Sequence, residues 1–590
     1  MPGLGITYGR GGATSNLQDL QNADCILIEG SNMAEAHPVG FRHPMIAKNK
    51  GAKLIHVDPR FTRTSAMCDI YAPIRPGTDI AFLGGLIKYV IDNEKYFDEY
   101  VKAFTNAATI IDERFENADP TGFFSGWDEE TGSYSAETWQ YEGQPLRHAA
   151  AGGSQDKFAG ELKDEGGDGD GLDNDRQRPN DMTLQDPRCV FQILKRHYER
   201  YTPEMVERIC GTPKEAFLKV AETICENSGR EKTTAFCYAV GWTQHSKGVQ
   251  IIRSAAILQL LLGNIGRPGG GIMALRGHAT IQGSTDIATL YNVLPGYLPM
   301  PHTGKNHDIW EDYVRTETAE TGWWNNFPKY ITSIMKAWYG EEFKAENGDD
   351  LFDHFPRISE DHSFYPALMN MKDGVTKGCF VFGQNFAVGG PHVQVAKDGL
   401  RNLDWLVVLD AYGIETAEAW KLGGNPEECG TEVFFIPSAL VAEKDGSFTQ
   451  TQRMLQWHDK SVEPPDDARS DAWFVYHLGR RIKGFYEGSE EPRDKLIQAM
   501  TWDYPVEGEH EEPHIESILK EINGYTVADG EPVSGFKDLQ VDGSTACGGW
   551  IYSGCMADGV NQSRRRKPVS EQDLVAAEWG WAWPANRRTL

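Results

Sequence analysis

The sequence predicts an α/β fold: two doubly wound, mostly parallel-sheet regions with loop-rich insertions between and after them. Three observations lead there. The first hundred residues alternate short apolar runs with stretches of helical spacing, and the runs end in glycine or aspartate. A second strand–loop series recurs near residues 377–384, 405–410 and 432–437. The composition, 40% hydrophobic and 24% charged over 590 residues, is that of an ordinary globular chain.

Residues 25–29 form an apolar run ending at Gly30, and residues 53–57 form another ending at Asp58. Between them residues 38–50 read as a helix whose length Pro44 and Gly51 limit. A third run, 70–74, leads into Pro76-Gly77-Thr78-Asp79, where Thr78 or Asp79 can cap a helix over 80–93. Strands separated by helices make a parallel sheet covered on both faces, and such sheets bind ligands beyond the carboxyl ends of their strands. Residues 203–228 are helical with a break at Gly211-Thr212-Pro213. Residues 234–240 read as a buried strand, and 248–262 as an apolar helix interrupted only by Gln259 in its second half. We divide the chain into a first α/β dinucleotide-binding region (1–148), an acidic loop insertion (149–187) and a continuation carrying an active-site loop (188–296). A loop-rich connector (297–366), a second α/β dinucleotide-binding region (367–480) and an irregular C-terminal segment (481–590) complete it.

Charge and cysteine usage narrow the function classes. Against 58 Lys+Arg stand 86 Asp+Glu, a net charge of -28 that repels phosphate backbones and anionic lipid, so no nucleic-acid partner is expected. No apolar run approaches the ~20 residues of a membrane span, so no direct membrane insertion is expected. The ten cysteines never form a Cys-x-x-Cys pair, which argues against a zinc ribbon or an iron–sulfur cluster held by this chain, and we name no metal ligand. Cys25 and others lie in apolar runs and read as buried thiols. Within the acidic insertion, Asp168–Asp175 resembles a calcium loop but lacks the terminal Glu, and a solvated acidic loop is the simpler reading.

Three loops at strand ends are candidates for holding a nucleotide: Gly30-Ser31-Asn32 onward through Glu35 to His37, Asp58 through Arg60 to Thr62, and Gly77-Thr78-Asp79. Backbone N–H groups there suit a diphosphate, and Asp58 suits ribose hydroxyls or a guanine edge. A Gly-x-Gly-x-x-Gly fingerprint is missing after the first strand, so an ordinary NAD site is unsupported. A glycine-rich stretch from Gly269 leads to Arg276-Gly277-His278. Arg276 offers a planar fork for a carboxylate or phosphate, and His278 can exchange a proton near neutral pH; a surface ion pair and a loop histidine are the plainer alternatives.

These residues carry a resemblance. The segments Asn32-Met33-Ala34-Glu35-Ala36-His37-Pro38, Asp58-Pro59-Arg60-Phe61-Thr62-Arg63-Thr64, Gly241-Trp242-Thr243-Gln244-His245 and Arg276-Gly277-His278 resemble the molybdenum/tungsten bis(pterin guanine dinucleotide) oxidoreductases of the DMSO-reductase-like fold. More narrowly they are similar to the catalytic alpha subunit of respiratory formate dehydrogenases. Residues 193–210, Gln384-Asn385-Phe386, Glu443-Lys444-Asp445-Gly446 and Trp581-Ala582-Trp583-Pro584 extend the likeness over most of the chain. The resemblance implies that the three loops, with Gly241 and Gln244, bind one molybdopterin guanine dinucleotide. It implies that Gln384, Asp410, Lys444 and Asp471 lie at or near the second. Arg276 and His278 would sit beside the metal, where formate is oxidised to CO2 and two electrons pass to iron–sulfur clusters.

The family also has an upstream 4Fe-4S cluster and a selenocysteine or cysteine that ligates the metal, and a C-terminal β-barrel domain; this sequence matches neither part. We therefore expect a fragment whose cluster is not bound by this chain, as when a selenocysteine codon is read as a stop. The implied partners are formate, an iron–sulfur beta subunit and a cytochrome subunit. The implied location is periplasmic for the intact enzyme, with any signal upstream, and cytoplasmic for the chain as given. A nitrate-reductase-like enzyme and an inactive cofactor-binding fragment stay open as alternatives.

Overall fold

The computed structural model describes residues 2–8, 11–116, 125–135, 138–143, 179–277, 279–319, 322–344, 349–390, 392–451, 454–572 and 577–582. Most of the acidic insertion, with the calcium-like run, lies outside the described residues, as does His278. Five parallel strands build the first sheet: β1 (Cys25–Glu29), β2 (Lys53–Asp58), β3 (Ile70–Pro73), β4 (Thr234–Tyr238) and β5 (Gly271–Ala274). Their order across the sheet is β3-β2-β1-β4-β5. The chain winds outward to β3, returns beside β1 and winds the other way, so the carboxyl ends of β1 and β4 are neighbours at the reversal.

Alternation along the strands sorts side chains into two cores. Leu27, Val57, Phe236 and Ile272 face one side, packed by α2 (Asp79–Asp92), α3 (Pro203–Cys210), α4 (Lys214–Glu226) and α5 (Gly248–Leu261). Ile28, Leu54, Cys237 and Met273 face the other, under α1 (Pro38–Asn49) and a short turn at Leu17–Asn22. All residues of β1, β4 and β5 are buried, as two-sided cover requires. The expected strand over 234–240 stops at Tyr238, because Val240–Thr243 turns into a single helical turn.

The second region has its own parallel sheet of β6 (Gly378–Phe382), β7 (Trp405–Asp410) and β8 (Glu432–Pro437), in that order. The stretch expected to be a loop-rich connector instead contains α6 (Phe327–Tyr339), whose residues build an aromatic core with the C-terminal segment. Tyr330 stacks on Trp550 with ring centroids 4.1 Å apart and planes within 6°. Its apolar residues Phe327, Tyr330, Ile331, Ile334 and Met335 follow the helical period, a pattern the loop-rich reading overlooks. A further sheet of β9 (Gly446–Thr449), β10 (Met454–His458) and β11 (Trp581–Ala582) is antiparallel. All ten cysteines are free thiols; burial pushes the Cys25 thiol up to about 12. No helix among the described residues is long and apolar enough to cross a membrane.

Gln259, the polar break in α5, has a structural purpose. Fully buried, its amide donates to the carbonyls of Thr234 (3.0 Å) and Gly271 (2.8 Å), and its oxygen accepts from Asn264 (2.7 Å). It ties the starts of β4 and β5 to their covering helix. Gln259→Leu strips these bonds from buried groups, so we expect a loss of about 2–4 kcal/mol in stability, read from urea unfolding. A loss below about 0.5 kcal/mol, the size of an ordinary surface change, would show that the bridge does not hold the strands.

Candidate functional site

At the sheet's reversal the chain leaves β1 through Gly30 in a left-handed conformation (φ +67°). The Gly241 N–H donates to the Gly30 carbonyl at 3.0 Å, and the Ala239 N–H reaches the same oxygen at 3.3 Å. A Cβ on Gly241 would lie 2.6 Å from the Gly30 Cα, and one on Gly30 would lie 2.7 Å from Trp242 Cδ1. Only two glycines allow this approach. Above the junction opens a cleft of about 260 Å³, lined by Gly30, Ser31, Asn32, Asp58, Arg60, Gly77, Asp79 and Gly241 among the sequence candidates. Val57, Pro59, Ile74, Pro76 and His245 complete the lining.

Asp58 ends β2, and its Oδ1 accepts the Arg60 N–H at 2.8 Å, which shapes the turn that carries Arg60 to the cleft. Behind it the fully buried His56 donates from Nε2 to the Ser31 carbonyl (3.1 Å) and pairs its Nδ1 with Ser65 Oγ (2.8 Å). This ring locks the first and second loops together. Burial pushes its pKa down, against the pull of the Asp58 carboxylate. The other candidates of these loops serve the scaffold. Asn32 and Glu35 hydrogen-bond each other, Thr64 donates to Asn32 (2.7 Å), and Thr62 caps the short helix at Arg63–Met67. Thr78 precedes α2 and donates its hydroxyl to the Arg75 carbonyl at 2.7 Å. Gln244 is exposed on the turn after β4, one residue before His245.

Arg276 lies two residues past β5, half-buried, on a loop gripped from three distant points. Its Nη2 donates to the Gly11 carbonyl at 3.3 Å. His37 Nε2 (2.9 Å) and Thr451 Oγ1 (2.7 Å) both donate to the Arg276 carbonyl, and Thr451 also reaches the Gly277 carbonyl at 2.7 Å. His37 thus supports the arginine loop and does not line the cleft. The guanidinium lies beside the phenol of Tyr238, which burial pushes up to about 12.

The second group of candidates gathers at the carboxyl edge of the second sheet. Gln384 follows β6 by two residues, and Asp410 ends β7. The Ser438 N–H donates to the Asp410 carbonyl at 3.1 Å, and Ser438 Oγ donates to Asp471 Oδ1 at 3.1 Å. Lys444 forms an ion pair with Asp471, the first residue of α7 (Asp471–Phe485). Sequence reasoning did not commit to His245, Glu29, His56 or Thr451. His245 had a signal in its place in the quoted Gly241–His245 segment, and Glu29 a weak one as an acid closing an apolar run.

A glycine-walled crevice at the winding reversal, with two carboxylates and a guanidinium, matches the needs of a nucleotide: close backbone approach, partners for base or ribose, and a cation for phosphate. The residues present therefore fit one nucleotide arm of a pterin dinucleotide. Among the described residues no three His, Cys, Asp or Glu side chains converge on a metal position.

Comparison with known proteins places the chain. The molybdopterin oxidoreductase family model matches residues 7–421. The formate dehydrogenase-O major subunit of Escherichia coli (strain K12) is 40% identical over 615 residues, covering 100% of this chain and 57% of that protein. The formate dehydrogenase subunit alpha of Megalodesulfovibrio gigas is 38% identical over 612 residues, covering 100% and 56%. An F420-dependent formate dehydrogenase subunit alpha of Methanocaldococcus jannaschii is 27% identical over 480 residues, 81% of this chain and 50% of that one. The chain spans little more than half the length of the curated relatives it matches. With the model matched over most of its length and these relatives aligned along all of it, the chain belongs to the molybdopterin oxidoreductase family.

Proposed function

We propose that the chain is the central part of a formate dehydrogenase catalytic subunit, which binds molybdopterin guanine dinucleotide and holds formate for oxidation to CO2. The observation that carries this reading is the gripped loop of Arg276, a fixed carboxylate-binding fork presented one strand over from the nucleotide-sized cleft. Its aligned relatives are named formate dehydrogenase subunits. When bound, a molybdenum or tungsten centre carried by two such pterins supplies the two-electron oxidation.

The chain's own residues divide the remaining work. Arg276 orients formate through two parallel N–H···O contacts, a geometry a lysine cannot reproduce. His37 and Thr451 keep that fork in place by holding its backbone. His278, next but one in sequence, takes the role of moving a proton near the bound carboxylate. In the cleft, Asp58 meets the guanine or ribose, Arg60 meets the diphosphate, and Gly30, Gly77 and Gly241 let the ligand approach the backbone. Gln384, Asp410, Lys444 and Asp471 serve the second dinucleotide. The partners of the whole enzyme are a 4Fe-4S cluster upstream of this span, an iron–sulfur beta subunit and a cytochrome subunit, with the assembly in the periplasm.

Three outcomes check this reading in the full-length enzyme. Arg276→Lys should raise the barrier by about 2–4 kcal/mol, seen as a matching fall in kcat/KM for formate; a rate within about threefold of wild type would remove Arg276 from substrate binding. Asp58→Ala should lower pterin and metal content per protein while turnover per bound metal stays near normal, measured by elemental and pterin analysis beside the assay. Thr451→Val removes both grips on the loop carbonyls, and we expect kcat/KM to drop about tenfold with metal content unchanged. If nitrate and not formate supported turnover, the nitrate-reductase-like alternative would replace the proposal; cofactor bound without any turnover would favour the inactive fragment.

A further inference from the structure

Under the cleft lies a pair of acids that the proposed function does not use. Glu29, the last residue of β1, is 1% exposed, and among the described residues neither of its carboxyl oxygens meets a hydrogen-bond donor. Asp79, the first residue of α2, is 6% exposed and lines the cleft. The two carboxyl groups lie against each other. Trp242 stands next to both, its indole N–H bonded to neither.

The other titratable groups around the pair are few. Cys210, at the end of α3, faces both acids, and its thiol points to the Thr78 carbonyl. His245 faces Asp79 from the turn after β4. Arg75 lies beside Cys210 and is engaged with the carbonyls of Arg208 and Ile209, and Asp58 and Arg60 line the same cleft as Asp79. Among the described residues no cation is placed to neutralise Glu29 directly. Two ionised carboxylates cannot occupy such a place together, so one of them carries a proton. Asp79 has the helix N-terminus and His245 to support a negative charge, and Glu29 has neither. The proton belongs on Glu29.

We propose that Glu29, in its acid form, donates a hydrogen bond to the Asp79 carboxylate and fixes the oxygen that Asp79 presents to a guanine nucleotide in the cleft, so that nucleotide binding is coupled to one proton. This rests on reading the cleft as a dinucleotide site. Glu29 touches no ligand; it is a positioning residue. Burial raises both carboxyls above their usual range, Glu29 well above it. Loss of the shared proton frees Asp79 and places a second negative charge beneath a ligand that carries phosphates. Affinity must then fall as pH rises. Stability follows the same sign: a carboxyl whose folded pKa is raised contributes stability below its unfolded pKa and loses it as pH rises through the folded one.

The test uses guanosine 5′-diphosphate as the probe, with calorimetric titration and thermal melting of the whole chain from mildly acidic to mildly alkaline pH. Wild type should lose affinity about tenfold per pH unit beyond its transition, with Tm falling as pH rises toward that transition and levelling beyond it. Glu29→Gln keeps an N–H donor toward Asp79 but cannot titrate. It should bind as tightly as acid-form wild type and hold both affinity and Tm into alkaline pH. Glu29→Leu should bind at least about tenfold more weakly at every pH, with no slope. Wild-type slopes persisting in Glu29→Gln, with binding intact, would overturn this inference and leave the dinucleotide reading standing. No binding by wild type at any pH would overturn the dinucleotide reading, and this inference with it.

Discussion

The backbone contact between Gly30 and Gly241 sets the geometry of everything around it. β1 and β4 are adjacent in the sheet but separated in sequence by two whole strands and their helices. Their register, Cys25 opposite Thr234 through Ile28 opposite Cys237, brings both carboxyl ends to the same level. A Cβ on either residue would push the two loops apart; two glycines let the strand ends meet. From that junction Asn32 and Asp58 diverge on one side. On the other, β5 continues the sheet, with the Leu275 N–H donating to the Tyr238 carbonyl at 2.8 Å and leading directly to Arg276.

The arginine loop depends on contacts that no local propensity supplies. Gly11, His37 and Thr451 come from three different parts of the chain, and each fixes the loop through a backbone carbonyl or the guanidinium itself. Beyond it, the Thr280 N–H donates to the Thr449 carbonyl at 2.7 Å, which ties the loop to β9. Tyr297 and Tyr552 then donate to the two oxygens of buried Asp286, at 2.6 and 3.0 Å. The loop is in this way anchored to the aromatic core as well as to the first sheet. For the formate-holding role proposed for Arg276 such rigidity matters, because a misplaced donor loses most of a bidentate contact.

What the sequence reveals follows from what each feature depends on. Strands and helices of the first sheet are legible because their burial is uniform: β1 and β4 are continuous apolar runs, and α2 and α5 carry the helical period. The cleft loops are legible because a parallel sheet puts them at strand ends by construction. α6 carries the helical apolar period at Phe327, Tyr330, Ile331, Ile334 and Met335, and the loop-rich reading of 297–366 overlooks it. His56 and Thr451 were invisible for another reason. A histidine in a strand or a threonine in a β-turn is ordinary until tertiary structure brings Ser31 or Arg276 to it. Glu29 stands out only as an acid closing an apolar run, and its burial is a property of the neighbouring Trp242 and α2, not of its own segment.

Electrostatics joins these levels. On the proposed reading of the cleft as a dinucleotide site, a chain with net charge -28 has to shelter a phosphate-bearing ligand from its own surroundings. Arg60 contributes the one guanidinium of the lining, against the carboxylates of Asp58 and Asp79. Asp58 stays partly exposed, 14% at its side chain. Asp79 has no such exposure and leans on a helix terminus and on the acid beneath it. An acid-form Glu29 is then the cheapest partner available at that depth: it supplies a donor without adding a charge. A lysine or arginine in its place would have brought a full cation into a buried position, at a desolvation cost of several kcal/mol.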